Sequence, residues 1–416
     1  MCKKHFRLVV ACLLTLGGFG YVNAEWQNTN GLVGNRINAL AVNETYLFAA
    51  TQDSGVFRSG DSGTTWLAVN TGLVNQDVRA LAIRGEYLFC GTFGGGVFRS
   101  GDNGASWQAK NTGISTLNIH ALGGNDSFLF AGTSGGGVCR TSDNGEQWLE
   151  VSEGLVHVNV FSIGITPVYV FVGTWGGSAF RTADNGMQWF LVTNGLFHPR
   201  ENIIPYSFAA ADTFVFAGTG GGGVFRGKDS ARVWYPFNNG LPDSSFVTAL
   251  ARIEDTLFAA TRSGVFRSLA SSNCQDGLDC ADWVADNDGL ADTNVLSFAL
   301  SGTLLFAGTD GDGVWRRGLA DTVPPTSAKR PAVSASARYS AGHSRGSFRY
   351  ALPEQSRVSL VAYDTQGRIL RTYVSSQQSP GHYTVNLRSS TMAAGPVYVH
   401  FKAGTYERSF QVLSFD

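Results

Sequence analysis

Methionine occurs 3 times in 416 residues, proline 11 times and cysteine 6 times, and charged residues make up only 15% of the chain. Set against 52 glycines, this scarcity favours many tight turns over long helices, so an all-β chain is the first expectation. Beyond the first two dozen residues there is no run near the roughly 20 consecutive apolar residues of a membrane helix. No transmembrane segment is therefore expected in the mature chain. With 43% hydrophobic and 12% aromatic residues the chain has ample material for packed cores, which excludes a disordered protein. Net charge is nearly absent at −1, yet it is unevenly placed: residues 25–317 carry 17 Lys and Arg against 27 Asp and Glu, and residues 331–416 carry 9 against 4. An acidic main domain argues against nucleic acid as its partner.

The first residues read as a secretory leader. Lys3, Lys4 and Arg7 precede an apolar run from Leu8 to Leu16, and Val22-Asn23-Ala24 is a small-residue cleavage pattern before Glu25. Residues 1–24 are thus expected to be a signal peptide, and the mature protein to be secreted or held at the outer cell surface. Four cysteines survive that cleavage. Cys274 and Cys280 flank a short polar loop and are the expected disulfide in an oxidising compartment. Cys90 and Cys139 stand where sister segments carry alanine, valine or phenylalanine, and read as small buried apolar residues.

Those sister segments are the strongest signal in the chain. A threonine closing an apolar strand recurs at Thr51, Thr92, Thr133, Thr174, Thr219, Thr261 and Thr309, with spacings of 41, 41, 41, 45, 42 and 48 residues. This is the period of propeller blades. The first unit divides into four short strands, Ile37 to Val42, Tyr46 to Ala50, Gly55 to Ser59 and Thr65 to Val69, with turn residues at each boundary. The third strand carries Val56-Phe57-Arg58, echoed in all seven units as far as Val314-Trp315-Arg316, and the fourth opens on a tryptophan at Trp66, Trp107, Trp148, Trp189, Trp234 and Trp283. The seventh tryptophan lies at the other end of the chain, in Trp26-Gln27-Asn28-Thr29-Asn30-Gly31-Leu32. The N-terminal segment is therefore expected to supply the last strand of the last blade and to close the ring, leaving no open sheet edge between first and last blades. The fold class that follows is all-β: a seven-bladed propeller over 25–317 closed by an N-terminal strand, with a further small sandwich behind it.

Between the third and fourth strands stands Ser59-Gly60-Asp61-Ser62-Gly63-Thr64-Thr65-Trp66, repeated at 100–107, 141–148 and 182–189. In such a turn hydroxyl and carboxylate oxygens accept backbone N–H bonds, and glycine tolerates the positive φ required. The motif resembles the Asp-box, or BNR, hairpin of sialidases, sortilin-type receptors and several glycan hydrolases. The resemblance implies structural roles for Asp61, Asp102, Asp143, Asp184 and Asp229, the last in a degenerate copy with Ala231 in the glycine position.

Gly318 to Tyr339, with Pro324-Pro325 and Pro331 among many Ser, Thr and Ala, suits an extended linker, placed at 318–346. Residues 347–416 alternate like strands of an Ig-like β-sandwich. Leu352-Pro353-Glu354, Tyr363-Asp364, Gly367-Arg368, Pro380-Gly381-His382-Tyr383 and Ala394-Gly395-Pro396-Val397-Tyr398 resemble the C-terminal sorting domain of type IX secretion cargo. That resemblance implies the secretion machinery as a partner of the tail.

Candidate site residues follow from topology. In a meander the loops after strands two and four emerge on one face and the repeated Asp turns on the other. On the first face the copies differ most, and variable loops on a fixed scaffold are where binding function sits. Trp175 and Phe93 are candidates to stack on a ligand, with Arg262, His157, His198 and Arg200 beside them. Asp53, Glu201, Asp310 and Asp312 are the carboxylates that a glycosidase reading would draw on. No nucleophile set and no sialidase-type Phe-Arg-Ile-Pro signature accompany them. The arginine repeated in all seven third strands reads as part of the repeat rather than as a substrate clamp. The Asp-Asn-Gly runs lack the ordered ligands of a calcium loop, so neither metal nor cofactor is expected. The reading that results is a non-catalytic binding or scaffold propeller for an extracellular glycan or protein, with an Asp-box glycoside hydrolase as the alternative.

Overall fold

The structure, a computed structural model, describes residues 25–196, 203–211, 214–228, 230–270, 281–319, 340–342, 347–352, 355–363, 369–379, 381–386, 397–403 and 406–412. The leader, most of the linker, His198, Arg200, Glu201, Asp229, Cys274 and Cys280 lie outside these residues, as do the tail motif positions Pro353, Glu354, Asp364, Gly367, Arg368, Pro380 and 394–396. Every element among the described residues is a strand.

Seven four-stranded antiparallel sheets form the blades of a β-propeller. The first comprises Ile37–Val42, Leu47–Thr51, Val56–Ser59 and Leu67–Ala68, paired in that order. The seventh contains Val295–Ser301, Leu304–Thr309 and Val314–Gly318, and its fourth strand is Gln27–Asn28 from the other end of the chain, with Gln27 opposite Arg316 and Asn28 opposite Trp315. First strands pack side by side around the axis, and Val295–Ser301 meets Ile37–Val42 to complete the circle. The fourth strands are shorter than the sequence suggests. In most blades the tryptophan precedes a two-residue pairing, and only Trp234–Pro236 starts on it.

The core is divided among the seven blade interfaces rather than gathered in one place. Between the first two blades Phe48, Val69, Leu88, Phe98 and Trp107 pack together, and between the last blade and the first Leu32, Ile37, Phe306 and Val314 do so. Burying one such phenylalanine stabilises by roughly 1.5–3 kcal/mol relative to leaving it in water. The marker threonines are fully or almost fully buried, and each hydroxyl bonds the carbonyl across the turn after its strand, as Thr51 Oγ1 does to the Gly55 oxygen at 2.9 Å.

Four of the repeated arginines, Arg58, Arg99, Arg140 and Arg316, hold blades together. Arg58, Arg99 and Arg316 each donate to the backbone carbonyl of the turn in the next blade, at Asn103, Asn144 and Ser62, over 2.8–2.9 Å. Arg58 and Arg99 also lie over the Tyr46 and Tyr87 rings. In the turns themselves Asp61 accepts from the Ser59 hydroxyl and from the Thr65 backbone and hydroxyl, while the Gly63 N–H bonds Ser59 Oγ. Asp102 repeats the pattern with Ser100 and Ser106.

Later in the chain than the propeller, two antiparallel sheets make a small Ig-like β-sandwich. One orders Ser340–Gly342, Ser347–Leu352 and Gly381–Asn386; the other orders Ile369–Gln378, Ser356–Tyr363, Val397–Ala403 and Tyr406–Val412. Val358, Leu360, Val399 and Phe401 are fully buried in it.

Candidate functional site

Each first strand carries an irregularity near its start. The register with the second strand jumps between Ile37 and Ala39, Val78 and Ala80, Ile119 and Ala121, Val160 and Ser162, Pro205 and Ser207, Val247 and Ala249, and Val295 and Ser297. An extra residue of this kind bends the strand and re-aims a side chain. Here one residue per blade is left over, namely Asn38, Arg79, His120, Phe161, Tyr206, Thr248 and Leu296, and all seven line one cavity of about 550 Å³. Its remaining walls are Arg36, Phe246, Arg262, Asn294 and Asp310. Arg262 and Asp310 directly follow second strands, so the cavity is the mouth of the central channel on the face of the inter-blade loops.

The lining divides into two arcs. Blades three to six contribute an aromatic wall in which His120 stacks on Phe161 at 4.7 Å, Phe161 meets Tyr206 edge-on at 5.9 Å, and Tyr206 lies 4.9 Å from Phe246. Trp175 and Phe93 extend this wall to the rim, 5.7 Å from Phe161 and His120 respectively. They are 57% and 42% exposed, which leaves both rings open to a ligand.

Blades seven, one and two contribute a polar arc already engaged with itself. Asp310 holds Arg36 through Oδ1 and accepts from Asn294 Nδ2 at 2.7 Å through Oδ2. Arg36 also donates to Asn38, and Asn38 to the Val78 carbonyl. Arg79 donates to Asp77 at 2.7 Å. Arg262 stands apart, exposed, with its guanidinium 3.9 Å above the Phe246 ring and no carboxylate partner among the described residues.

These surroundings bear on two titrations. Burial, reinforced by the Arg79 charge and opposed by Asp77, holds the His120 imidazole below its ordinary value, so it is neutral at pH 7. Burial pushes the Tyr206 phenol up, against a smaller pull from Arg262.

Of the positions singled out from the sequence, Arg262 and Asp310 line the mouth and Trp175 and Phe93 rim it. His157 is exposed beside the turn after Trp175, where a Cβ on Gly176 would sit 3.2 Å from its Nε2. Asp53 is exposed, and Asp312 is half-buried with its carbonyl accepting from Asn28. Sequence reasoning missed Arg36, Asn294, Phe246 and all seven bulge residues. A signal for the latter exists: between an apolar residue and a small or polar one at the start of each first strand, this single column changes from blade to blade.

No protein-family model matches the sequence, and no curated protein matches it. Solved structures share the fold. The extracellular domain of a protein described as a one-component system of B. thetaiotaomicron aligns with a TM-score of 0.58 at 16% identity over 70% of this chain and 39% of that one. PorZ, an essential surface component of the type-IX secretion system of Porphyromonas gingivalis, aligns with 0.53 at 19% identity over 91% of this chain and 60% of that one. YCF48 bound to D1 peptide gives 0.55 at 15% identity over 72% and 98%. The chain thus spans well under two thirds of the first of these proteins, and at such identities the likeness is one of β-propeller fold.

Proposed function

We propose that this chain is an extracellular, non-catalytic binding propeller whose ligand, a glycan or a protein, enters the channel mouth. One observation carries the reading: seven non-repeating side chains, one from each blade, converge on a single cavity with an open aromatic wall. A pocket with apolar walls and a few convergent polar groups is the usual form of a ligand site. The polar arc supports binding over catalysis, because Asp310, a carboxylate in the mouth, has both oxygens engaged by Arg36 and Asn294. A glycosidase needs one carboxyl to donate a proton and a second to attack or activate water. The propeller's acidic balance is the reason to set nucleic acid aside.

The repeated Ser/Thr-x-Asp-x-Gly turns support the Asp-box reading, in which Asp61, Asp102, Asp143, Asp184 and Asp229 serve the hairpin and not the ligand. The tail is read as the export element, addressed to a type IX machinery. Its sorting-domain motifs support this, and so does the alignment with PorZ, which runs beyond the propeller. Delivery to the cell surface should then fail when residues 347–416 are removed.

The test of function is a glycan and peptide array probed with full-length protein, followed by product analysis on every hit. Binding lost in Trp175→Ala, with no product released, is the expected result. Oligosaccharide release abolished by Asp310→Asn would establish the hydrolase instead.

A further inference from the structure

We infer that the ligand of the channel mouth is a protein segment in which an acidic side chain stands beside large apolar ones. This rests on the binding-propeller reading above and narrows it from glycan or protein to one class.

Three features of the mouth point the same way. The apolar character of the wall continues outward over its rim on blades two to four, where Phe93, Leu117, Val156, Val158 and Trp175 are all 40% exposed or more. The backbone ties these positions together: the Gly94 and Gly96 N–H groups bond the Leu117 carbonyl, Gly135 and Gly137 bond that of Val158, and Trp175 N–H bonds that of Asn159. A strip of large apolar side chains open to water marks an interaction surface.

Charge is the second feature. In a domain that carries ten more acidic than basic residues over 25–317, the mouth is lined by Arg36, Arg79 and Arg262 against Asp310 alone. Arg36 is paired with Asp310 and Arg79 with Asp77. Arg262 therefore brings an unneutralised charge to the edge of the aromatic wall, its flat face on Phe246 and its N–H edge available for a carboxylate.

The third feature separates peptide from sugar. Holding a sugar takes several free hydrogen-bonding side chains for its hydroxyls, but both amide atoms of Asn38 and both oxygens of Asp310 are engaged, and Asn294 spends its Nδ2 on Asp310 and keeps only a buried Oδ1 without a partner among the described residues. The aliphatic Val156, Val158 and Leu117 offer no flat platform for a pyranose and suit aliphatic or aromatic side chains. An acidic group on Arg262 with apolar neighbours laid across Phe161, Trp175 and the strip beyond satisfies all three features.

The experiment uses full-length protein and a library of end-blocked dodecamer peptides, so that a carboxylate can come only from Asp or Glu. Selection should enrich sequences with Asp or Glu within a few residues of Trp, Phe, Leu or Ile. Affinity for the best peptide should fall about tenfold in Arg262→Ala and again in Trp175→Ala, and be unchanged in Arg232→Ala, an exposed residue of the turn between Gly223–Lys228 and Trp234–Pro236 on the opposite face. Raising the salt should weaken the native protein and leave Arg262→Ala nearly flat. Arg262→Glu should shift the selection toward Lys and Arg, a gain that a misfolded variant cannot produce. Enrichment of neutral or basic peptides, binding indifferent to Arg262, or no enrichment at all would overturn the inference. A glycan held at the mouth and lost in Trp175→Ala would overturn it too while leaving the binding propeller intact, whereas cleavage of that glycan would remove both.

Discussion

The blade tryptophans share one use for the indole N–H. Trp107, Trp148, Trp189, Trp234 and Trp283 each donate to a backbone carbonyl at the fourth strand of the preceding blade, over 2.6–2.9 Å, and Trp26 does the same to Asp286. Trp66 reaches the equivalent residue of the closing strand, Thr29, but bonds its hydroxyl, at 3.3 Å. Trp315 is different in kind: it stands in the third-strand phenylalanine position, and its buried N–H has no partner among the described residues. Leaving a buried donor unsatisfied costs about 1–3 kcal/mol. Trp315→Phe should therefore lie within about 1 kcal/mol of the native protein, the lost packing being offset by the removed donor. Trp189→Phe strands the Val151 carbonyl and should cost about 2–4 kcal/mol. Chemical denaturation of the two variants decides the contrast. The turn aspartates make a second prediction. The backbone bond from Thr65, then the hydroxyls of Thr65 and Ser59, hold the Asp61 carboxyl down from 3.8 to about 2. Because the folded value is the lower one, the stabilisation is complete above the ordinary carboxylate range and is lost as pH falls through about 2. The melting-temperature gap between native protein and Asp61→Asn should be widest near neutrality and close progressively below about pH 4.

At the scale of elements, the inter-blade turn is a tightly packed joint. Gly195 has φ +86°, and a Cβ there would lie 2.0 Å from the Trp234 carbonyl oxygen, so the turn of one blade is pressed against the backbone of the next. Gly34 has φ +87° with nothing within 4 Å. Gly34→Ala should cost only the left-handed penalty, about 1–2 kcal/mol. Gly195→Ala adds backbone displacement and should cost several kcal/mol more in the same denaturation assay. The closing strand is the other decisive element. Trp26 N–H bonds Asp288, its indole bonds Asp286, Thr29 bonds Val314 through both N–H and hydroxyl, and Leu32 sits in the interface of blades seven and one. Beside it Arg317 and Asp286 form a buried ion pair under the Trp26 ring. Deleting residues 26–32 should lower the melting temperature far more than trimming an ordinary terminus; an unchanged melt would refute the closure.

For the whole molecule, the core is divided among seven blade interfaces, and closing the ring both completes the last of them and assembles the mouth. Blade number, strand order, the displaced last strand and the turn chemistry were legible in the sequence because each depends on residues a few positions apart and recurs at a steady period. The threonine marker, the Ser-Gly-Asp-Ser-Gly turn and the stray Trp26 each report a local hydrogen-bond need, and a local need shows in a short window. Trp175, Phe93, Arg262 and Asp310 were reachable by counting strand reversals to one face. The cavity itself was not. Asn38, Arg79, His120, Phe161, Tyr206, Thr248 and Leu296 share no residue type and no local partner. What makes them one site is a bulge that turns a single side chain inward and a ring that carries seven distant strands to a common axis. Only tertiary structure performs that step, because the convergence is a property of closed geometry and leaves its trace in the sequence as one column that refuses to repeat.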